Sequence, residues 1–195
     1  MCRTISAGIL VGAGVSRVTV ADSILDQPDG FAIQGLRNLT SPPDANATDF
    51  AAKVQLERVT VFGRIHCVTL QASECLLNDL VLVEDRQSGC IRFSRFELGS
   101  VLPRRFQCVP SEVQARAVPS GRRPYPPLFH SRRFGRPDYA QLAAACPPEI
   151  LAASEAKAEV GAFASALNAV RTNNLQLKLI EFSPLGLTSV LIAET

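Results

Sequence analysis

LERVTV at Leu56–Val61, LNDLVL at Leu77–Leu82 and LGSVLP at Leu98–Pro103 are the segments on which the fold reading turns. Leu56, Val59 and Val61 are followed by Leu77, Leu80 and Leu82, then by Leu98 and Val101, each set 21 residues after the last. A β-rich unit repeating about every 20 residues, with no helix between copies, is the signature of a solenoid. One such unit cannot bury its apolar row alone, so neighbours stack into a continuous core. The expectation is a mainly β protein, a right-handed parallel β-helix, with Leu56, Val59 and Val61 stacked under Leu77, Leu80 and Leu82. The third copy is degenerate, because Pro103 has no N–H to give a ladder. The competing reading is a Val/Leu-rich β-sandwich in which the recurrence is accidental.

Working outward, SRVTVADSILD at Ser16–Asp26 resembles CVTLQASECLLND at Cys67–Asp79, with Val18 and Val20 answering Val68 and Leu70, and Ile24 and Leu25 answering Cys75 and Leu76. At least one coil therefore precedes Leu56. Gln27–Asp49 holds Pro28, Gly30, Pro42 and Pro43, and 37–49 reads as a loop thrown out of the solenoid. Glu84–Gly89 is a polar turn. Cys90–Phe96 alternates, which places Arg92 and Arg95 outward around Ile91 and Phe93.

The chain divides into 1–109, the coils, and 110–195, an irregular Arg/Pro-rich wrap, helices and a last strand packed on the coils. Residues 110–137 carry six of the 13 prolines. A short helix is expected over Asp138–Ala145, with Asp138 as N-cap and Pro147 as stop. A longer helix is expected over Leu167–Phe182, with Leu167, Val170, Leu175, Leu179 and Phe182 along one buried face, ended by Pro184 and Gly186. Thr188–Ala193 reads as a final strand.

The 195 residues carry a formal charge of +2, but unevenly. Arg104–Arg136 contains eight arginines and one acid, a local +7, and the remainder has 12 basic and 17 acidic residues, a local −5. Arg122, Arg123, Arg132, Arg133 and Arg136, interleaved with Tyr125, Phe129 and Phe134, are candidates for binding a partner. They suit acids on a protein partner or on the chain's own coils, and less well a nucleic-acid backbone.

Six cysteines at 2, 67, 75, 90, 108 and 146 form no C-x-x-C pair, which speaks against a zinc ribbon or a disulfide scaffold. They read as small core hydrophobes in a reducing, cytoplasmic setting, with Cys90–Cys108 as the one pair to consider. ISAGILVGAGV at Ile5–Val15 has neither the cleavage site of a signal peptide nor the span of a membrane helix. Its glycines invite comparison with a dinucleotide fingerprint, but Arg17 stands where a third small residue is needed and no helix follows. Gly8, Gly12 and Gly14 are read as turns. Ile5, Ile9 and Val11 then form an apolar first row without a cap, a candidate assembly edge, unless the stretch folds back on itself.

No catalytic, cofactor or metal set emerges. A polysaccharide lyase or hydrolase on this fold needs clustered outward acids with Arg or Lys. Glu84, Asp85 and Arg86, or Asp22 and Asp26, are the candidates. His66 and His130 lack partners at a telling spacing. The expected function is a non-enzymatic structural or interaction protein, with a carbohydrate-active enzyme as alternative and an Arg-driven nucleic-acid binder as the weaker one.

QSGCIRFSRF at Gln87–Phe96, PRRFQC at Pro103–Cys108, LFHSRRFGRPDYAQLAAACPPEI at Leu128–Ile150, GAF at Gly161–Phe163 and NLQLKLIEFSPLGLTSVLIAET at Asn174–Thr195 resemble a family of long, largely uncharacterised bacterial proteins. Members of that family carry parallel β-helix coils and are often encoded beside phage-tail-like or contractile-injection genes. The resemblance departs at Ser154–Val160, where the family has an acidic glycine-containing segment. It implies a β-helix subunit of such an assembly, partnered by proteins or by further copies, in the cytoplasm or in a particle assembled there. It implies no catalytic residue.

Overall fold

A computed structural model of the chain describes residues 3–36, 50–117, 119, 122–136 and 138–190, the side chains of Ala169, Val170 and Thr172 excepted. The loop expected at 37–49 lies outside these residues. Eight strands form one sheet: β1 (Ile5–Ser6), β2 (Ile9–Gly12), β3 (Arg17–Leu36), β4 (Ala51–Ser73), β5 (Leu76–Leu77), β6 (Val81–Val83), β7 (Gly89–Arg92) and β8 (Arg104–Phe106). Every ladder between them is parallel. The protein is mainly β, as expected.

The expected register is corrected. Val61 pairs with Leu77, and Leu82 pairs with His66 rather than with Val61. Leu80 is 40% exposed instead of buried. Successive ladder partners run Ile5, Ile24, Thr60, Leu76, Arg95, Val109, so the spacing between rows varies and the 21-residue recurrence is not the structural repeat. The likeness of Ser16–Asp26 to Cys67–Asp79 holds one residue out: Ile24 and Leu25 answer Leu76 and Leu77 through Thr60 and Val61. A slip of one residue exchanges the two faces of a strand.

The true repeat is a corner. Arg3, Asp22, Arg58, Glu74, Phe93 and Gln107 have φ of 52°, 46°, 51°, 54°, 49° and 47°. Paired residues on either side place these six in one stack, one per row. A non-glycine residue there costs about 1–2 kcal/mol, and no β-branched residue occupies the stack. The next residue repairs the corner. The hydroxyls of Ser23 and Ser94 donate to the carbonyls of Ala21 and Arg92 at 2.6 and 2.7 Å, and the thiols of Cys75 and Cys108 donate to those of Ser73 and Phe106 at 3.2 and 3.5 Å. Rows are tied at the same point, where Ser23 Oγ accepts from Thr4 N at 3.2 Å and Ser94 Oγ from Cys75 N at 3.0 Å.

Beyond the corner, residues alternate between two environments. Leu25, Val61, Leu77 and Phe96 point into the main core with Val20, Leu56, Ile65 and Ile91. Ile24, Thr60, Leu76, Arg95 and Val109 point the other way, yet all but Ile5 in that column are buried. The C-terminal half covers them. Cys146, Ile150, Ala153 and Val160 pack on Leu76 and Val109, and Tyr139 and Ala140 pack on Ile24 and Phe62. The GAF stretch fastens this cover. Gly161 N donates to the Glu74 carbonyl at 2.8 Å and Ala162 N to Thr60 Oγ1 at 2.9 Å. A Cβ on Gly161 would stand 2.4 Å from Thr60 Oγ1, so only glycine fits.

The cover is irregular. Asp138–Ala145 is not the expected helix; its residues make β-bridges, Ser131 with Tyr139 and Phe129 with Leu142. Helices are α1 (Glu112–Ala117), which the sequence pattern does not announce, α2 (Pro148–Leu151) and α3 (Asn168–Phe182). Leu187–Val190 forms no strand, and the rest of the expected final strand lies outside the described residues.

Candidate interaction surfaces

The five arginines differ in their surroundings. Arg132 lies over the Phe62 ring, its guanidinium carbon 3.7 Å from the centroid, and 5.7 Å from that of Phe129. It is a clamp between cover and sheet. Arg123 Nε sits 3.6 Å from Glu97 Oε1, on the rim of a buried ion pair. Arg136 is half-buried, and Arg122 and Arg133 are exposed. Arg123 and Arg132 thus make contacts within the chain while staying exposed, beside the exposed Arg122 and Arg133.

The buried pair was not legible. Arg95, expected outward, is fully buried, because the corner at Phe93 restarts the alternation. Its guanidinium donates to Glu97 Oε2 at 2.7 Å and to the carbonyls of Leu77 and Asn78 at 2.9 and 3.4 Å. A second buried polar contact joins cover to sheet, the Tyr139 hydroxyl donating to Asp26. Burial and that carboxylate push the Tyr139 hydroxyl well above its ordinary pKa. Asp22, the other acid considered, is held below the usual carboxylate range by Arg58, whose Nε and Nη2 reach its oxygens at 2.5 and 3.1 Å. These two acids are structural.

Glu84, Asp85 and Arg86 line a cleft of about 690 Å³ with Leu102, Arg104, Arg105 and Glu112. Their charges are largely engaged. Asp85 Oδ1 accepts from Gln87 N and Ser88 N at 3.0 and 3.3 Å, Arg105 pairs with Glu112 at 3.2 Å, and Arg86 Nε reaches the Leu102 carbonyl at 3.4 Å. The Ser88 hydroxyl with those amides keeps Asp85 below its ordinary pKa. His66 is buried between Phe31 and Phe50, ring centroids 4.6 and 5.7 Å away. Burial and Arg64 lower its pKa. Cys90 and Cys108 are free; Cys90 pairs across the ladder with Arg104. Burial raises the Cys67 and Cys75 thiols to about 12, which leaves them unreactive. Among the described residues no group of three or more His, Cys, Asp or Glu is placed to hold a metal ion. None of their helices is long and apolar enough to cross a membrane.

At the first edge, Ile5 is 49% exposed and Leu10 48%, whereas Ile9 is half-buried and Val11 is buried against Gly35. Val11 therefore belongs to the core, and the exposed apolar edge is Ile5 with Leu10. Within the described residues β1 and β2 pair with β3 alone.

A run of exposed apolar residues lies at the other end. From residue 165 onward no described residue is buried. Leu175, Leu177, Ile180 and Phe182 of α3 are 48%, 57%, 76% and 73% exposed, and Leu185, Leu187 and Val190 follow at 105%, 67% and 74%. This corrects the expectation that Leu167, Leu175, Leu179 and Phe182 pack on the sheet: Leu179 is half-buried and the others are open to solvent. Val170 lies outside the described side chains. The stripe predicts that an apolar side exists and says nothing of what covers it. Among the described residues α3 is anchored at its base, where Asn168 N donates to Glu159 Oε1 at 3.3 Å. Glu159 is buried with no cation paired to it among the described residues, and burial raises its carboxyl to about 7.

Comparison with protein-family models, with curated proteins and with solved structures returned no match to this chain.

Proposed function

We propose that this chain is a right-handed parallel β-helix that acts by binding other proteins, a non-enzymatic subunit of a phage-tail-like or contractile-injection assembly. The winding is supported by the stack of six corner residues at positive φ and by ladder partners recurring after as few as 14 residues, too short a connection for a helical crossover. The hand follows from the right-handedness of parallel crossovers. The assembly setting rests on the resemblance of Leu128–Ile150 and the other quoted segments to the bacterial β-helix family. Cytoplasmic residence, or incorporation into a particle built there, goes with that reading, and no cofactor is required.

The observation that carries the binding role is the apolar surface of α3 and the residues after it. A chain that exposes this many large apolar side chains in one segment is marked for association. A second reading, a carbohydrate-active enzyme, draws on the cleft that gathers Glu84, Asp85 and Glu112 with Arg86, Arg104 and Arg105. It is disfavoured because Asp85 is turned into its own loop and Glu112 is ion-paired, so no carboxylate pair is left facing a bond to be broken. The nucleic-acid reading is disfavoured because Arg123 and Arg132 already make contacts within the chain, an ion pair at 3.6 Å and a stacked ring. Tail-like particles purified from the producing cells and quantified by mass spectrometry test the proposal. The chain is expected at constant stoichiometry. Its absence from particles, or turnover of acidic or neutral polysaccharides by the purified chain, overturns the reading.

A further inference from the structure

We infer that α3 is a self-association helix, and that its occupant is α3 of a second copy of this chain. The inference rests on the protein-binding reading and names the partner.

Leu175, Leu179 and Phe182 are spaced four and three apart, the step of a coiled-coil seam, and lie on one side of the helix. Leu177 and Ile180 lie on the opposite side. A helix apolar on both sides belongs in the middle of something, not on a surface. The exposed area of these residues with Leu185, Leu187 and Val190 comes to roughly 900 Å², spread over both sides of α3 and the segment after it, and burying all of it would match the ~800 Å² that each partner contributes to a standard interface.

Charge argues for a like partner. Lys178 Nζ is paired with Glu181 at 2.9 Å, which leaves Arg171 as the one unmatched charge on α3 by formal count. Such a helix has no field to select an acidic or basic protein, and it lacks the cationic face of a lipid-binding helix. Its seam is complementary to itself. In the pair, the Leu175–Leu179–Phe182 seams face each other, and the Leu177–Ile180 sides are left for the Leu185–Val190 segments that follow. The base at Glu159 fixes where α3 leaves the covered sheet, so two copies joined through α3 keep their sheets apart and their edges free.

Sedimentation velocity on the full chain, over a hundredfold concentration range, is the test. The wild type is expected to form a discrete oligomer of at least two copies. Leu175→Glu with Leu179→Glu should weaken association on the order of 100-fold or more, and Leu177→Glu with Ile180→Glu less. All four residues lie outside the covered sheet, so the main thermal transition should stay unchanged, which separates lost association from lost folding. A wild type that stays monomeric throughout, or that binds lipid vesicles while monomeric, or an oligomer indifferent to the seam variants, overturns self-association. The protein-binding reading stands or falls separately, on the particle and polysaccharide assays.

Discussion

Replacing Glu97 by glutamine leaves Arg95 as an uncompensated charge under the cover. Arg95 is wholly buried and Glu97 is 7% exposed. The guanidinium keeps the carbonyls of Leu77 and Asn78 but loses the carboxylate that Nη2 meets at 2.7 Å. Breaking a buried pair from one side costs about 3–5 kcal/mol. For a chain of this size that corresponds to a fall in Tm of roughly 6–20 °C, at about 2–4 °C per kcal/mol. Arg95→Met with Glu97→Leu behaves differently. It removes both desolvated charges, gains apolar contact beside Leu76 and Val109, and leaves the Leu77 carbonyl short of a donor, which costs about 1–3 kcal/mol. The double variant should therefore fall within about 2 kcal/mol of the wild type, well above Glu97→Gln. Urea denaturation of the wild type, Glu97→Gln, Arg95→Met, Glu97→Leu and the double measures both effects and closes the cycle. A Glu97→Gln protein within about 1 kcal/mol of wild type, or a double variant no better than the single, refutes the argument that this pair is held by mutual compensation.

Gly161→Ala puts a Cβ against Thr60 Oγ1 at a φ of +101°, so it should loosen the cover and cost about 2–4 kcal/mol by denaturant titration; an unchanged midpoint would count against the fastening role of this residue. Glu159 holds its proton to about pH 7 in the folded chain and releases it near 4.5 when unfolded. Its contribution is thus complete below pH 4.5 and is lost as pH rises through 7, by up to about 3 kcal/mol. Glu159→Gln should flatten stability across that window, and an identical slope in the variant would show that other groups set it.

The β class, the irregular arginine-rich cover and the existence of α3 were legible because hydrophobic spacing and proline content report them directly, whereas the parallel stacking was expected from a recurrence that is not the structural repeat. Register was not. Rows differ in length between Asp26 and Phe31, where the β3–β4 pairing shifts, so no fixed period survives. The corner that does repeat is occupied by Arg3, Asp22, Arg58, Glu74, Phe93 and Gln107, which share a backbone conformation and no chemistry. Only the Ser, Cys, Thr or Val that follows gives it away. The fate of the arginines was half legible: their number called for acids or rings, and Arg123 with Glu97 and Arg132 with Phe62 found both within the chain. Which stayed outside depended on contacts between residues far apart in sequence. For α3, the apolar stripe was visible and its exposure was not, since periodicity encodes a face and not its neighbour.

The parallel register is the claim on which the corner stack, the cover and the open edge all depend, and native Cys90 offers a direct measurement. Gln71 is its ladder partner on an open face, with strands about 4.8 Å apart, within the Cα separation a disulfide accepts. Thr69 is the residue that a 21-residue repeat would place there. Under mild oxidation, peptide mapping of Gln71→Cys should find the introduced thiol joined to Cys90 in a disulfide, and Thr69→Cys should give little or no cross-link to Cys90. A cross-link from Thr69→Cys in preference to Gln71→Cys would contradict the account.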